Sequence, residues 1–183
     1  MSDYITFNGA STLTYNALLL ADEISGAEPD YDSVSVDGRN GDLHFSKKRF
    51  KNRTRTITLY FPNGEDDFGN FENLLLSQSS DYVKIINSKD DGYFMMGQYT
   101  GNPSMKVAVN HAAIRADFVF DCKPQKWIVA GQTEKSISQG QLEPPSAIGV
   151  NNPTMFDAAP LIRVPGRTGD IMIGGVTITI DTA

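Results

Sequence analysis

Residues able to do chemistry are scarce in this chain. It has two histidines, His44 and His111, and one cysteine, Cys122. None falls into the HxH, HExxH or CxxC spacings that bring imidazole and thiolate ligands onto one metal ion, so no transition-metal site is expected. A nucleophilic cysteine needs a base and a polar setting. Cys122 instead follows Phe118 and Phe120 and precedes Pro124, flanks that suit a small buried side chain with a neutral thiol. No GxSxG, GxxxxGK[ST] or GxGxxG run is present, which removes the anchors of serine hydrolases, phosphate-loop enzymes and dinucleotide-binding proteins. Asp90-Asp91-Gly92 opens like a calcium loop but lacks the spaced ligands and closing glutamate, and it reads as a turn. Asn52-Arg53-Thr54 is a glycosylation sequon that a protein folded in a cytoplasm would not use.

Charge is segregated rather than mixed. Lys47, Lys48, Arg49, Lys51, Arg53 and Arg55 put six of the sixteen basic residues into one short acid-free run. The other ten stand against 22 acidic residues. A net charge of −6 and a pI near 4.8 argue against general binding to nucleic acid or anionic membranes. In extended conformation Arg49, Lys51, Arg53 and Arg55 share the parity of Ile57, Leu59 and Phe61, making one strand face apolar at one end and cationic at the other. Such a strand is a solvated end, a contact with an acidic neighbouring subunit, or a phosphate contact. These four residues are the candidate subunit-interface set. Asp22, Glu23, Glu28, Asp30, Asp32, Asp37 and Asp42, just before them, are the natural complement in cis or in trans.

The elements that must carry these residues alternate with period two. Tyr4 to Phe7 reads as a strand stopped by Asn8-Gly9, and Thr56 to Phe61 as a half-buried strand closed by Pro62-Asn63-Gly64. Tyr82 to Ile86 and Tyr93 to Tyr99 are strands flanking the turn at 87–92. Ile114, Ala116, Phe118 and Phe120 share one strand face. His44 alternates with Leu43 and Phe45 on another. One helix is expected: Asn63 or Gly64 caps it, Glu65, Asp66 and Asp67 suit its positive N-terminus, and Phe68, Phe71, Leu74 and Leu75 form a stripe ending near Ser77 to Ser80. At the C-terminal end, Ile171 to Ile173 and Val176 to Ile180 flank Gly174-Gly175, a strong hairpin signal.

With 183 residues the chain can bury a sizeable core unaided, and one cysteine cannot form an internal disulfide. MSDYITFNGAS is not a signal peptide, and no stretch approaches the roughly 18 apolar residues of a membrane span. The expectation is a soluble protein made in a cytoplasm. Composition shifts after Trp127, and the Gly-, Gln-, Ser- and Pro-rich stretch that follows reads as a connector before strand pattern resumes at Pro160 to Val164. The predicted fold is mainly β: an antiparallel β-sandwich with one short α-helix over residues 1–130, a connector at 131–152, and a small β segment at 153–183.

The order of these features resembles the distal tail proteins of long-tailed phages and prophages. The matching pieces are ITFNG at Ile5 to Gly9, VDGRNGDLHF at Val36 to Phe45, KNRTRTITLYF after Phe50, the helix after Pro62, and ADFVFDCKP at Ala116 to Pro124. NPTMFDAAPLIRVPG at Asn152 to Gly166 and IMIGGVTITI at Ile171 to Ile180 look like the opening of that family's galectin-like jelly roll. The resemblance implies a non-enzymatic virion protein without cofactor or metal. It implies a hexameric ring joining the tail tube to the tail-associated hub or fibre protein, with receptor-binding proteins as further partners. It also implies a galectin-like domain continuing past Ala183, of which this chain is expected to carry only the beginning.

Two other classes compete with that reading. A carbohydrate-binding β-sandwich module needs an aromatic platform beside polar groups; the one tryptophan, Trp127, sits at the domain boundary, and no galectin-type HxNxR run exists. A glycan hydrolase of the tail tip would use two carboxylates that meet only in the fold, which leave no linear signature.

Overall fold

The computed structural model describes residues 3–107 and 112–133, together with the strands Gly169–Ile173 and Val176–Ile180. The chain divides into two compact units, Met1–Ser136 and Ile137–Ala183. In chain order the first unit contains β1 (Ile5–Phe7), β2 (Ala10–Ser11), β3 (Leu18–Ile24), β4 (Pro29–Val34), β5 (Leu43–Phe50), β6 (Arg53–Phe61), α1 (Glu65–Ser77), β7 (Val83–Asn87), β8 (Tyr93–Tyr99), β9 (Ser104–Val107), β10 (Ile114–Cys122) and β11 (Trp127–Ile128). The second holds β12 (Gly169–Ile173) and β13 (Val176–Ile180), an antiparallel pair with Ile171 opposite Ile178.

Alternation decides which way each strand faces. Along β10, Ile114, Ala116, Phe118, Phe120 and Cys122 are buried while the residues between them are partly or fully exposed. Its neighbour β6 runs antiparallel, with Leu59 opposite Ala116 and Ile57 opposite Phe118, so both apolar faces point the same way. The sheet order is β2-β1-β7-β8-β10-β6-β3, with β9 added to β10 and β11 to β8. Strands β3 and β7 are far apart in that order, yet the Asn87 amide on β7 donates to the Asp22 carboxylate on β3 at 2.6 Å. The sheet therefore bends back on itself into a sandwich, the expected fold class.

Helix α1 lies over the core. Gly64 occupies its N-cap with φ +79°, a conformation that costs glycine nothing, and Glu65, Asp66 and Asp67 fill the first turn. The Asn63 amide instead holds Asp67 at 2.8 Å. Phe68, Phe71 and Leu75 are buried. Phe71 meets Phe118 edge-on at 5.1 Å and Phe7 at 5.7 Å, while Phe7 stacks on Phe120 at 5.3 Å. Each such pair adds about 0.5–1.5 kcal/mol beyond the area it buries.

Five strands had no expectation behind them: the two-residue β2 and β11, and β3, β4 and β9. A register shift between Leu19 and Ala21 breaks the alternation of β3, which hides it from a period-two reading. The basic run also differs from a single extended strand. It ends β5, crosses Lys51-Asn52, and enters β6, so only Arg53 and Arg55 keep the parity of Ile57, Leu59 and Phe61. The expected strand at 160–164, most of the connector at 131–152 and the Gly174-Gly175 turn lie outside the described residues.

Candidate functional site

Strands β4 and β5 pair only with each other, in a two-stranded sheet separate from the sandwich sheet. They form an arm. Gly38 and Gly41, at φ +77° and +81°, shape the turn region at its tip. Only Asp30 is buried and Leu43 half-buried along its strands; every other strand residue is exposed. Asp32 stands opposite Phe45 and Val34 opposite Leu43, so Val34, Leu43 and Phe45 share one face. Phe45 is 59% exposed and Val34 47%. On the opposite face Tyr31 stacks on His44 with ring centroids 4.4 Å apart. A two-stranded ribbon is marginal in water by itself, and an apolar stripe exposed along one is costly to leave uncovered.

The acidic stretch answers the basic run within the chain. Arg49 lies opposite Asp30, and its Nε and Nη2 both reach Asp30 Oδ2 at 2.7 Å. That hydrogen bond outweighs the desolvation of Asp30 and, with Lys47 nearby, holds its carboxyl below the usual value. Lys47 Nζ sits 2.7 Å from Asp32, and Lys51 Nζ 3.6 Å from Glu28. Arg53 Nε donates to the Ser25 carbonyl at 2.7 Å. The Arg49 and Lys51 side chains remain 70% and 53% exposed.

Arg55 is different. It is 3% exposed, and its guanidinium grips Asp22 with two bonds, Nε to Oδ1 at 2.8 Å and Nη2 to Oδ2 at 2.6 Å. Burial alone would push the Asp22 carboxyl up. The hydrogen bond and charge of Arg55, aided by Asn87 and Lys126, override it and hold the carboxyl below 3.8. Of the four candidate interface residues, Arg49 and Lys51 face solvent on or beside the arm, Arg53 is half-buried, and Arg55 presents no charge to a neighbour. Sequence reasoning missed the apolar stripe of the arm. Its signal was there: Val34 and Val36 alternate before a Gly-rich turn, and Leu43 and Phe45 alternate after it.

A cavity of about 160 Å³ opens beside this cluster. The cations around it are already paired: Arg55 with Asp22, Lys89 with Asp3 and Lys126 with Asp90. Trp127 lies stacked on Phe94 at 5.7 Å, and Lys84 sits over the Phe94 ring at 4.6 Å. That stack leaves Trp127 half-buried rather than standing out as an open platform. Cys122 is fully buried, and burial pushes its thiol up to about 11. Among the described residues no group of His, Cys, Asp and Glu is placed to hold a metal ion, and no helix is long and apolar enough to cross a membrane.

A mainly antiparallel β-sandwich with one α-helix and a projecting two-stranded arm is the class of protein that these elements define. No protein-family model and no curated protein matches the chain. Among solved structures the fold is similar to that of the SPP1 Dit protein (gp 19.1), a paradigm of the hub adsorption apparatus in phages that infect Gram-positive bacteria. The TM-score is 0.54 at 15% sequence identity, over 70% of this chain and 53% of that one. The chain thus matches about half the length of that protein, and the likeness is one of fold.

Proposed function

We propose that the chain is a structural, non-enzymatic protein of a phage tail tip: a distal tail protein whose N-terminal unit assembles into a hexameric ring. The observation that carries this reading is the likeness of fold to the SPP1 Dit protein. The exposed arm supports it independently. A closed ring needs two complementary patches on every subunit, and an arm with an uncovered apolar stripe is one such patch. In this reading the Val34, Leu43 and Phe45 face of the arm lies on the next subunit, with Arg49 and Lys51 on the polar rim of the contact. Residues 1–130 are the ring-forming domain, 131–152 the connector, and 153–183 the start of a galectin-like domain. The ring sits in the virion between the tail tube and the tail-tip hub or fibre protein, with receptor-binding proteins as further partners.

Negative-stain electron microscopy of the purified chain tests the proposal. Annular particles with six-fold symmetry and a central channel are expected. Uniformly small, unringed particles at concentrations well above the micromolar range would refute it.

A further inference from the structure

The arm is a continuation of the β3–β6 pair. Ile24 stands opposite Arg55 at the last paired position, and the two chains stay joined beyond it. The Ser25 amide donates to the Thr54 carbonyl at 2.8 Å, the Thr54 amide to Ser25 Oγ at 2.9 Å, and the Lys51 amide to the Glu28 carbonyl at 2.8 Å. The β3 leg therefore leaves the sandwich at Ser25, while the β6 leg stays in register with β10 as far as Arg53, opposite Cys122. At that root β3 is an edge strand, hydrogen-bonded through its backbone to β6 alone. No backbone ladder ties it to β7 across the sandwich. The Asp22 carboxylate does so instead, because its Oδ2 accepts from Arg55 on β6 and from Asn87 on β7, both at 2.6 Å.

We infer that Asp22, Arg55 and Asn87 form a latch that fixes the direction in which the arm leaves the sandwich. Their role is positioning. A buried ion pair gives back in attraction roughly what its desolvation costs, so apolar residues of similar volume would serve stability as well. What a two-bond guanidinium–carboxylate fork adds is one fixed distance and angle. The second carboxylate contact, to Asn87, transfers that geometry to the opposite wall. Close the latch and the ribbon has one exit angle. Open it, and the β3 leg of the root, held then by its β6 ladder and by the packing of Ile24 on the core, can shift against β7 while β6 stays fixed to β10. The inference does not rest on ring assembly, since it concerns the root of the arm within one chain.

Amide hydrogen exchange on the full chain tests it, comparing the parent with Asn87→Ala and with the paired replacement Asp22→Leu/Arg55→Leu at matched oligomeric mass. Asn87→Ala leaves the Arg55–Asp22 pair intact and so avoids stranding a buried charge. The expected result is exchange at least tenfold faster at Ser25, Lys51 and Thr54, beyond any change at Phe118 to Phe120. The paired replacement is expected to keep its thermal midpoint while showing the same local loss. Unchanged root exchange in Asn87→Ala, or an increase equal to that of the β10 core, would overturn the latch. A ring that fails to form would leave this comparison intact.

Discussion

Gly97 on β8 stands directly opposite Cys122 on β10, and a Cβ at Gly97 would lie 2.7 Å from both Cys122 Sγ and Ile85 Cδ1. The two residues share one side-chain's worth of space in the core. Gly97→Ala is therefore expected to cost about 1–3 kcal/mol through overpacking, read as a lowered denaturant midpoint at unchanged slope. Cys122→Ala in the same chain should restore part of that loss and no more, because Ile85 still blocks the other side. Full additivity of the two substitutions would contradict the shared space.

The same crowding governs the thiol and a nearby phenol. Burial raises Cys122 from 9.0 to about 11, and burial followed by the charge of Glu72 raises Tyr99 from 10.0 to about 12. Both folded values exceed the unfolded ones, so the fold favours the neutral forms. That contribution is complete below pH 9 and is lost as pH rises through about 11 and 12. Stability should fall on the alkaline side across this window. Thiol reagents at neutral pH should label the folded chain far more slowly than the denatured one. Equal labelling rates would show that the pocket is open.

Tyr99 is 5% exposed, and its hydroxyl has no hydrogen-bond partner among the described residues. Tyr99→Phe removes a buried unpaired polar group while keeping the ring packed on Phe118 and Phe120. It is expected to be neutral or to stabilise by up to about 1–2 kcal/mol, measured by chemical denaturation. A loss of 1 kcal/mol or more would mean that the hydroxyl is satisfied.

Asp22→Ala strands the Arg55 guanidinium inside the sandwich and is expected to cost about 3–5 kcal/mol. The acid limb carries the same signature. The Asp22 carboxyl is held below 3.8 in the fold, so its contribution is present above that value and is lost as pH falls through the lower folded one. The parent should therefore lose stability below pH 4 more steeply than Asp22→Asn. Superimposable acid limbs would remove Asp22 from the account.

These features differ in how far they could be read from the chain. The alternation of Ile114 to Cys122 and of Ile57 to Phe61 declares both strands and the core face, although Thr58 on the other face of β6 is buried as well. The helix is equally plain, since Phe68, Phe71 and Leu75 fall on one stripe behind three acids. Strand β3 is not, because its bulge shifts the parity that would have revealed it. Arg55 could be seen to share the core parity, yet parity alone does not say whether a cation there projects beyond the sheet or turns inward. That depends on Asp22 and Asn87, which lie 33 and 32 residues away and come close only when the sheet bends back. The arm stripe was written in sequence as two short alternating runs around a Gly-rich turn, but which of its faces lacks a cover is a tertiary fact.

If the arm is a subunit contact, its rim charges tune it and its stripe drives it. Lys51→Glu, which leaves the Arg49–Asp30 pair of the arm in place, is expected to weaken self-association by at most a few-fold and to change its salt dependence, because exposed ion pairs are each worth less than about 1 kcal/mol. Analytical ultracentrifugation across a salt series checks this. An identical association constant at every salt concentration would exclude the rim.

Native mass spectrometry of the parent beside Phe45→Asp tests the hexameric ring most directly. Phe45 is 59% exposed, so the substitution should leave the fold and its thermal midpoint unchanged. From a chain of 20.0 kDa the parent is expected at six copies, about 120 kDa, and Phe45→Asp at one copy. A parent that stays at 20.0 kDa at all concentrations, or a Phe45→Asp variant that assembles as the parent does, would contradict the arm-built ring.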